Sequence, residues 1–427
     1  EKNTAKMQLE GLLDTLTDAK EYGSILNVES YNWDLLRRFV AAEDTDGQIS
    51  MDSVGVEDTA EQLNRLIDIG ETMARKYWIV VTNPPYMGSA NMDENLSEYA
   101  KKVYPKTKYD MSTMFMEHGL KMCYPYGFMS MINIPVWMFL SSFEKMRTEL
   151  LSQSTIKSMA HFGRGVFGSD FGTTAFSIMK KPVLGFFGTY MKLYDRQGAV
   201  EQLGEKERKF LAHKNLYYKK QSEFEKLPGS QIAYWIPNAI YDAFSNDEKK
   251  IEFFTRSGLT TGDNEYFLKV WFEINRRNLY MSKQEDNVIP AWYPHLKGGE
   301  FRKWYGDLDY VIHYDSIALS EMQKRKGFRH DGREFFFRKS VTWSKTTAGP
   351  ISARINNANT TFNTAGCCLF AEKNEMYALA TMNSKVSTLI MSFLCPSLSY
   401  APGDVAKLPI LSCNNGQNQN VCSLAEK

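Results

Sequence analysis

The sequence is poor in the residues that build metal sites and disulfide frameworks. Six cysteines and six histidines are scattered over 427 residues. They form no CxxC pair, no HExxH and no other ligand spacing, so no metal is expected. Cys367 and Cys368 are adjacent on a strand-like run, and reduced thiols of a cytoplasmic protein are the sensible reading. No apolar run reaches the ~20 residues of a membrane span. No signal-peptide pattern opens the chain, and Glu1 suggests a chain cut from something longer. A Gly-rich turn between a strand and a helix is also missing from the first 80 or so residues. Gly11, Gly23, Gly47 and Gly55 stand isolated there. Charge of either sign is not in excess: the net charge is +1, which by itself says nothing about nucleic acid.

What is present supports a large folded core. Hydrophobic residues make up 43% and aromatics 13% of the chain, enough for two domains or more. Charge is unevenly placed. Residues 1–60 hold thirteen acidic against five basic residues, whereas Lys324 to Lys345 holds eight basic against two acidic. That basic block adjoins Phe335, Phe336, Phe337 and Trp343 and suits phosphate contact with stacking. A solvated charged loop is the alternative.

Hydrophobic periodicity predicts helices over 6–25, 31–42 and 59–77, with an acidic loop between 42 and 55. The apolar run Tyr77 to Thr82 then reads as a buried strand, expected in the middle of the sheet. Residues 87–108 read as a flexible segment with a short helix. Helix 110–124, strand 127–134, helix 138–151, strands 155–161 and 173–180, and strand 186–194 alternate after it. This argues for an α/β fold with a mostly parallel sheet and an antiparallel edge near the end. Residues 215–228 read as a polar connector. Beyond 257, aromatic and β-branched residues come in short runs broken by Gly and Pro, which predicts a mixed α+β, strand-rich domain. Residues 376–395 read as helix, and the Asn/Gln-rich tail as a frayed end.

The stretch Asn83-Pro84-Pro85-Tyr86 follows the predicted strand directly. Each proline fixes φ, and the residue before it is held extended, so neighbouring carbonyls point one way. The Asn83 amide oxygen and a proline backbone carbonyl can then accept both N–H bonds of an amino group. Such contacts push a conjugated nitrogen toward tetrahedral geometry and make it a nucleophile. Tyr86 can stack on the base that carries the amino group. The plain alternative is a rigid turn with a packed tyrosine.

Further segments come in a recognisable series: Asp110-Met111-Ser112-Thr113, Gly127 to Ile132, Trp137 to Glu144, Met159-Ala160-His161-Phe162-Gly163 and Thr173-Thr174-Ala175-Phe176. Gly258 to Asn264, Lys297 to Gly306 and Gly403 to Pro409 follow. Together with Asn83 to Tyr86 the series resembles the adenine-N6 DNA methyltransferases of the TaqI and type IIG kind. It is most similar to the PglX family of BREX phage-defence methyltransferases. The likeness runs from about Tyr77 to about Pro409.

The resemblance implies a division of the chain. Residues 1–76 are a helical lead-in, and 77–228 the later half of a Rossmann-like methyltransferase sheet. Residues 229–257 are a linker, 258–411 a target-recognition domain and 412–427 a tail. It implies S-adenosylmethionine as methyl donor, although the main motif for it is not found in this chain. Gly163 to Gly168 is the one alternative place for a donor loop. The partner implied is double-stranded DNA with a flipped adenine, together with other proteins of a prokaryotic defence system, in the cytoplasm and without a membrane. Asn83, Pro84, Pro85 and Tyr86 are then catalytic. Phe167 would face Tyr86 across the base, with Phe171 in reserve, unless it is a core residue. DNA contacts fall to Thr261, Asn264, Lys297, Arg302, Lys303, Lys324, Arg325, Arg329 and Arg354. Gly298 and Gly299 otherwise make a plain turn, and Trp304 and Tyr305 otherwise sit in the core. Two other readings stay open: a non-catalytic DNA-binding component of a defence complex, and a protein-glutamine methyltransferase.

Overall fold

The structure, a computed structural model, describes residues 1–45, 56–167, 172–195, 199–280, 291–347, 349–395, 399–412 and 415–426. The chain forms two compact units. One comprises Glu1–Glu225 with Gly229–Trp235, the other Lys226–Pro228 with Ile236–Lys427.

The first unit opens with helices Lys2–Leu16, Trp33–Thr45 and Val56–Ala74. Leu9, Leu12, Leu16, Leu36, Val40 and Ile67 recur at helical spacing and bury together. After these helices comes a six-stranded sheet of β1 (Tyr77–Thr82), β2 (Cys123–Asn133), β3 (Thr155–Arg164), β4 (Gly172–Met179), β5 (Phe187–Lys192) and β6 (Leu216–Lys220). The strand order is β1-β2-β4-β3-β5-β6.

Three expectations change here. The sheet is mixed rather than mostly parallel: β1/β2 and β3/β5 pair in parallel, while β4 runs antiparallel between β2 and β3. Only residues 165–171 separate β3 from β4 in sequence, too few for the crossover that parallel neighbours need. The polar connector 215–228 contains β6, whose Leu-Tyr-Tyr run pairs antiparallel with β5. Among the described residues β1 is an edge strand, with Ile79 67% and Val81 71% exposed. Its other face is covered. Helix Met111–Met122 lies so close that a Cβ on Gly119 would meet Met129 Cγ at 3.1 Å and Val80 Cγ1 at 3.5 Å.

The stretch 229–257 is not a linker throughout. Residues 229–235 return to the first unit and bury Ile232, Ala233 and Tyr234. Arg147 holds them, donating from Nε to Gly229 O at 2.8 Å and from Nη1 to the carbonyls of Trp137 and Leu140. Tyr234 and Trp235 then close an aromatic box around His161 with Phe139 and Tyr194.

The second unit carries two four-stranded sheets. One is ordered β13-β9-β10-β8, from β8 (Leu268–Val270), β9 (Trp292–Leu296), β10 (Tyr310–His313) and β13 (Thr361–Phe362). The other is ordered β12-β11-β14-β7, from β7 (Phe254–Arg256), β11 (Ser340–Ser344), β12 (Ala353–Asn356) and β14 (Gly366–Phe370). Leu259, Phe267, Leu296, Ile312, Met322, Phe336, Phe362 and Phe370 share one core between them. The helix expected over 376–395 is two, Glu375–Met382 and Lys385–Leu394, because Ser384 caps the second by accepting from Ser387 N. The tail is also helical: Asn415–Glu426 packs along Glu375–Met382, so docking overrides a weak intrinsic preference.

Arg354 on β12 is 1% exposed and pairs with Asp307 at 2.8 Å. Asp307→Ala leaves this guanidinium buried without a counter-charge. The expected cost is about 3–5 kcal/mol, read as a lower urea midpoint, and adding Arg354→Met should recover part of it. A second prediction concerns acid. Burial pulls His118 down to about 4, and His161 and His295 down to about 3, with nearby lysines pushing the same way. Each is neutral when folded, whereas the unfolded chain protonates near the ordinary value. Their stabilisation is therefore complete above pH ~6.5 and is lost as pH falls toward the folded values. Going from pH 7 to 5 should cost up to ~2 kcal/mol per histidine, and His161→Phe should shrink the drop. Equal urea midpoints at the two pH values would overturn this reading.

Candidate functional site

The site is built at the C-terminal ends of β1 and β2. Parallel pairing of Val80, Val81 and Thr82 with Met129, Ser130 and Met131 brings both chain ends out on one side of the sheet. In open α/β sheets this is the side on which ligands bind. Asn83 leaves β1 exposed, Pro84 is buried, Pro85 is exposed and Tyr86 half-buried. Tyr86 Oη donates to Asn83 Oδ1 at 2.9 Å and lies 3.2 Å from the Ile132 carbonyl at the end of β2. Burial pushes the Tyr86 phenol up, so it stays a donor at neutral pH. One lone pair of Asn83 Oδ1 is thus taken by tyrosine, and an amide oxygen has a second.

The chain leaving this turn is pinned rather than loose. Ser89 N donates to Tyr109 O at 2.9 Å, and Met111 N to Met87 O at 2.9 Å. Asp110 accepts from Ser112 N and Ser112 Oγ, capping helix Met111–Met122. The short helix expected within residues 87–108 is Glu94–Val103, capped by Asp93, with Leu96 and Ala100 buried. The Asp110-Met111-Ser112-Thr113 motif therefore has a mechanical role: it holds the exit of the Asn83–Tyr86 turn against the helix that backs β1.

One neighbour escaped the sequence reading, and the role of another was not seen. Asn133, the last residue of β2, is buried and accepts from Trp137 Nε1 at 3.1 Å. Trp137 packs edge-on against Phe176 of β4. Together they set the path of the chain directly after the carbonyl that Tyr86 approaches. A polar residue inside the apolar run Met131-Ile132-Asn133-Ile134 was the available signal.

Phe167 is half-exposed just beyond β3. β3 runs in the same direction as β1 and β2, so Phe167 lies at the same end of the sheet as Tyr86. Two strands separate β3 from β1, a spacing of about 14 Å at ~4.8 Å per step. Phe171 lies outside the described residues. The alternative donor loop does not fit. A Cβ on Gly163 would meet the Tyr194 ring at 2.8 Å, and one on Gly165 would meet Val200 at 2.9 Å. These glycines allow close packing and leave no open cradle, and strand β4 follows them instead of a helix.

The second unit gathers the expected DNA contacts into two clusters. In the first, Thr260 and Arg329 exchange backbone hydrogen bonds, and Gly262 packs against Arg325. This joins the Thr260–Asn264 loop to the basic block. Thr261 is buried and donates to Asn264 Oδ1 at 2.8 Å, so it supports the loop and leaves Asn264 at the surface. Lys324, Arg325 and Arg329 are exposed but sit beside Glu321, Asp263 and Asp331. In the second cluster Lys297 Nζ lies 4.2 Å from the Tyr310 ring centre, and Lys303 Nζ donates to Asn383 O at 2.8 Å. Arg302 is exposed, with Nε 3.8 Å from Asp307. Arg354 is a correction: it is buried against Asp307 and presents nothing to a ligand, because an unpaired guanidinium in this interior would be too costly.

A family model, the Eco57I restriction-modification methylase, matches residues 15–167. The chain is 32% identical to the adenine-specific methyltransferase PglX of Lacticaseibacillus casei (strain Zhang), over 96% of the chain and 36% of the relative. It is also 32% identical to the adenine-specific methyltransferase BrxX of Escherichia coli O9:H4 (strain HS), over 97% of the chain and 34% of the relative. It therefore spans about a third of the length of these relatives. Its fold is similar to that of the Type IIL restriction-modification enzyme MmeI in complex with DNA. The TM-score is 0.51 at 11% identity, covering 85% of this chain and 50% of that one. The resemblance carried by the Asn83–Tyr86 turn and the segments after it thus holds along nearly the whole chain, which is a homologue of the adenine-specific methyltransferases PglX and BrxX.

Proposed function

We propose that the chain is the target-binding part of a site-specific DNA methyltransferase. It would transfer the methyl group of S-adenosylmethionine to adenine N6 in prokaryotic phage defence or restriction–modification. The observation that carries this reading is an exposed Asn83 beside Tyr86 at the C-terminal ends of two parallel strands. A flipped adenine entering there meets the open lone pair of Asn83 Oδ1 and the Pro84 carbonyl. These two acceptors take the amino hydrogens, localise the nitrogen lone pair, and stabilise positive charge as it develops on nitrogen. The Tyr86 ring offers a stacking face, and Phe167 is proposed as its counterpart. Gly163 and Gly165 are packed too closely to cradle the methyl donor, and no step is assigned to residues that would hold it.

The outer edge of β1 supports one further element of this reading. Among the described residues no strand pairs along it, and an unpaired strand edge is a liability that proteins cover. We take this edge as the line along which a donor-binding part of the sheet pairs, completing a Rossmann-like layout. The isolated chain is then inactive and takes up the donor weakly or not at all. Calorimetry finding micromolar binding of S-adenosylmethionine would contradict that. The second unit is proposed to hold and read the DNA duplex, and other defence proteins would act beside it. The alternative of a non-catalytic DNA-binding component predicts that the whole protein transfers no methyl group to any adenine.

In the whole protein, Asn83→Ala is expected to abolish adenine methylation and leave DNA affinity within about twofold, since its interaction forms with the transition state. Tyr86→Ala should weaken capture of an extruded base and slow the reaction. Tritiated-methyl transfer beside a binding titration tests both, and wild-type activity in the Asn83 variant would sink the assignment. For the basic block, Lys324→Ala, Arg325→Ala and Arg329→Ala are combined and duplex DNA is titrated at several salt concentrations. Every side chain that neutralises a phosphate steepens the fall of log affinity with log salt by about one, so its removal flattens the slope by that amount. An unchanged slope would mark the block as a solvated loop.

A further inference from the structure

We propose that the loop Lys297–Asp307 is a base-stacking element, in which Trp304, flanked by Phe301 and Tyr305, lies against an unstacked base of bound DNA. This rests on the reading of the second unit as DNA-holding.

Lys303 donates to a backbone carbonyl and Lys297 lies over a ring. Trp304 and Tyr305, for which the core was the alternative reading, are in water together with Phe301: Phe301 is 54%, Trp304 43% and Tyr305 63% exposed. Three large rings exposed within five residues form a patch of the kind that marks a binding surface.

The loop is also held still. Trp304 N donates to Ala353 O and Ile355 N to Trp304 O, both at 2.8 Å, which lays the loop along β12. The buried Arg354–Asp307 pair fastens its far end, and Arg354 Nη1 also reaches Arg302 O at 3.4 Å. Gly298, at φ +76°, turns so tightly that a Cβ would meet Ala365 O at 2.8 Å. Trp304 itself is held at φ +76°, a left-handed conformation that is unusual for a residue with a bulky side chain. A backbone fixed in this way presents the indole with little ordering entropy left to lose on binding.

Charge selects the partner. The loop carries Lys297, Arg302 and Lys303, and the Asp307 carboxylate is already matched by Arg354. Glu300 is its remaining acid. Flat π faces set among cations suit nucleobases between phosphates, where stacking is tolerant of sequence. An apolar protein surface would gain nothing from the surrounding positive charge.

The test uses Trp304→Ala, Tyr305→Ala and Trp304→Phe, with a mixed-sequence single-stranded oligodeoxynucleotide and the matching duplex as probes. Affinity is measured at several salt concentrations, after thermal melting has checked the fold of each variant. Stacking releases no counterions. Trp304→Ala should therefore weaken single-strand binding about tenfold by the same factor at every salt concentration. Tyr305→Ala should act in the same direction, and Trp304→Phe should stay within about twofold. Unchanged affinity in both alanine variants, or a weakening that shows as a changed salt slope, overturns the stacking role while leaving DNA binding by the unit intact. A parent protein that binds neither probe overturns the DNA reading of the unit, and the stacking role with it.

Discussion

The parallel ladder between β1 and β2 is the constraint on which the candidate site depends. It brings Thr82 level with Met131, so the turn at Asn83 and the end of β2 at Asn133 emerge side by side. Everything near the turn is tied to that ladder. Tyr86 reaches the Ile132 carbonyl, Met87 and Ser89 bond to Met111 and Tyr109, and Asn133 fixes Trp137. Proline supplies local stiffness, but the neighbouring strand decides where the stiff turn points. A slip of one residue in this ladder would turn every side chain of β1 to the other face and take the Tyr86 hydroxyl away from Ile132.

The same strand is held from one side only. Helix Met111–Met122 covers the Val80 face through the gap left by Gly119, while Ile79 and Val81 stand open. A site whose supporting strand is paired along one edge can be fully shaped for a target group while the surface that would hold a reactant lies across the other edge. That division agrees with the well-formed Asn83–Tyr86 turn and with the packed surroundings of Gly163 and Gly165.

The second unit solves a different problem. Its strands are short and its sheets small, so surface loops must be fixed by specific interactions rather than by long ladders. The buried Arg354–Asp307 pair does this for the Lys297–Asp307 loop, and the Thr260–Arg329 bridge does it for the basic block. In both places one polar residue expected at the interface is found beneath it, Arg354 in one and Thr261 in the other. With such a residue buried, the aromatic groups of one loop and the basic groups of the other stand at the surface above it.

Local chemistry was legible in the chain itself. The Asn-Pro-Pro-Tyr turn, its strand, the helices at 3.6-residue spacing and the resemblance to adenine-specific methyltransferases depend on residue type and short spacing, which a sequence displays directly. The tertiary structure decided what depends on distant partners. It put β1 at an edge, inserted β4 antiparallel between β2 and β3, and folded residues 229–235 back around His161. It buried Arg354 and exposed Trp304. An arginine and a tryptophan carry no mark of whether an aspartate or a strand will come to lie beside them, because burial is a property of the packed neighbours and is settled only when the chain has closed.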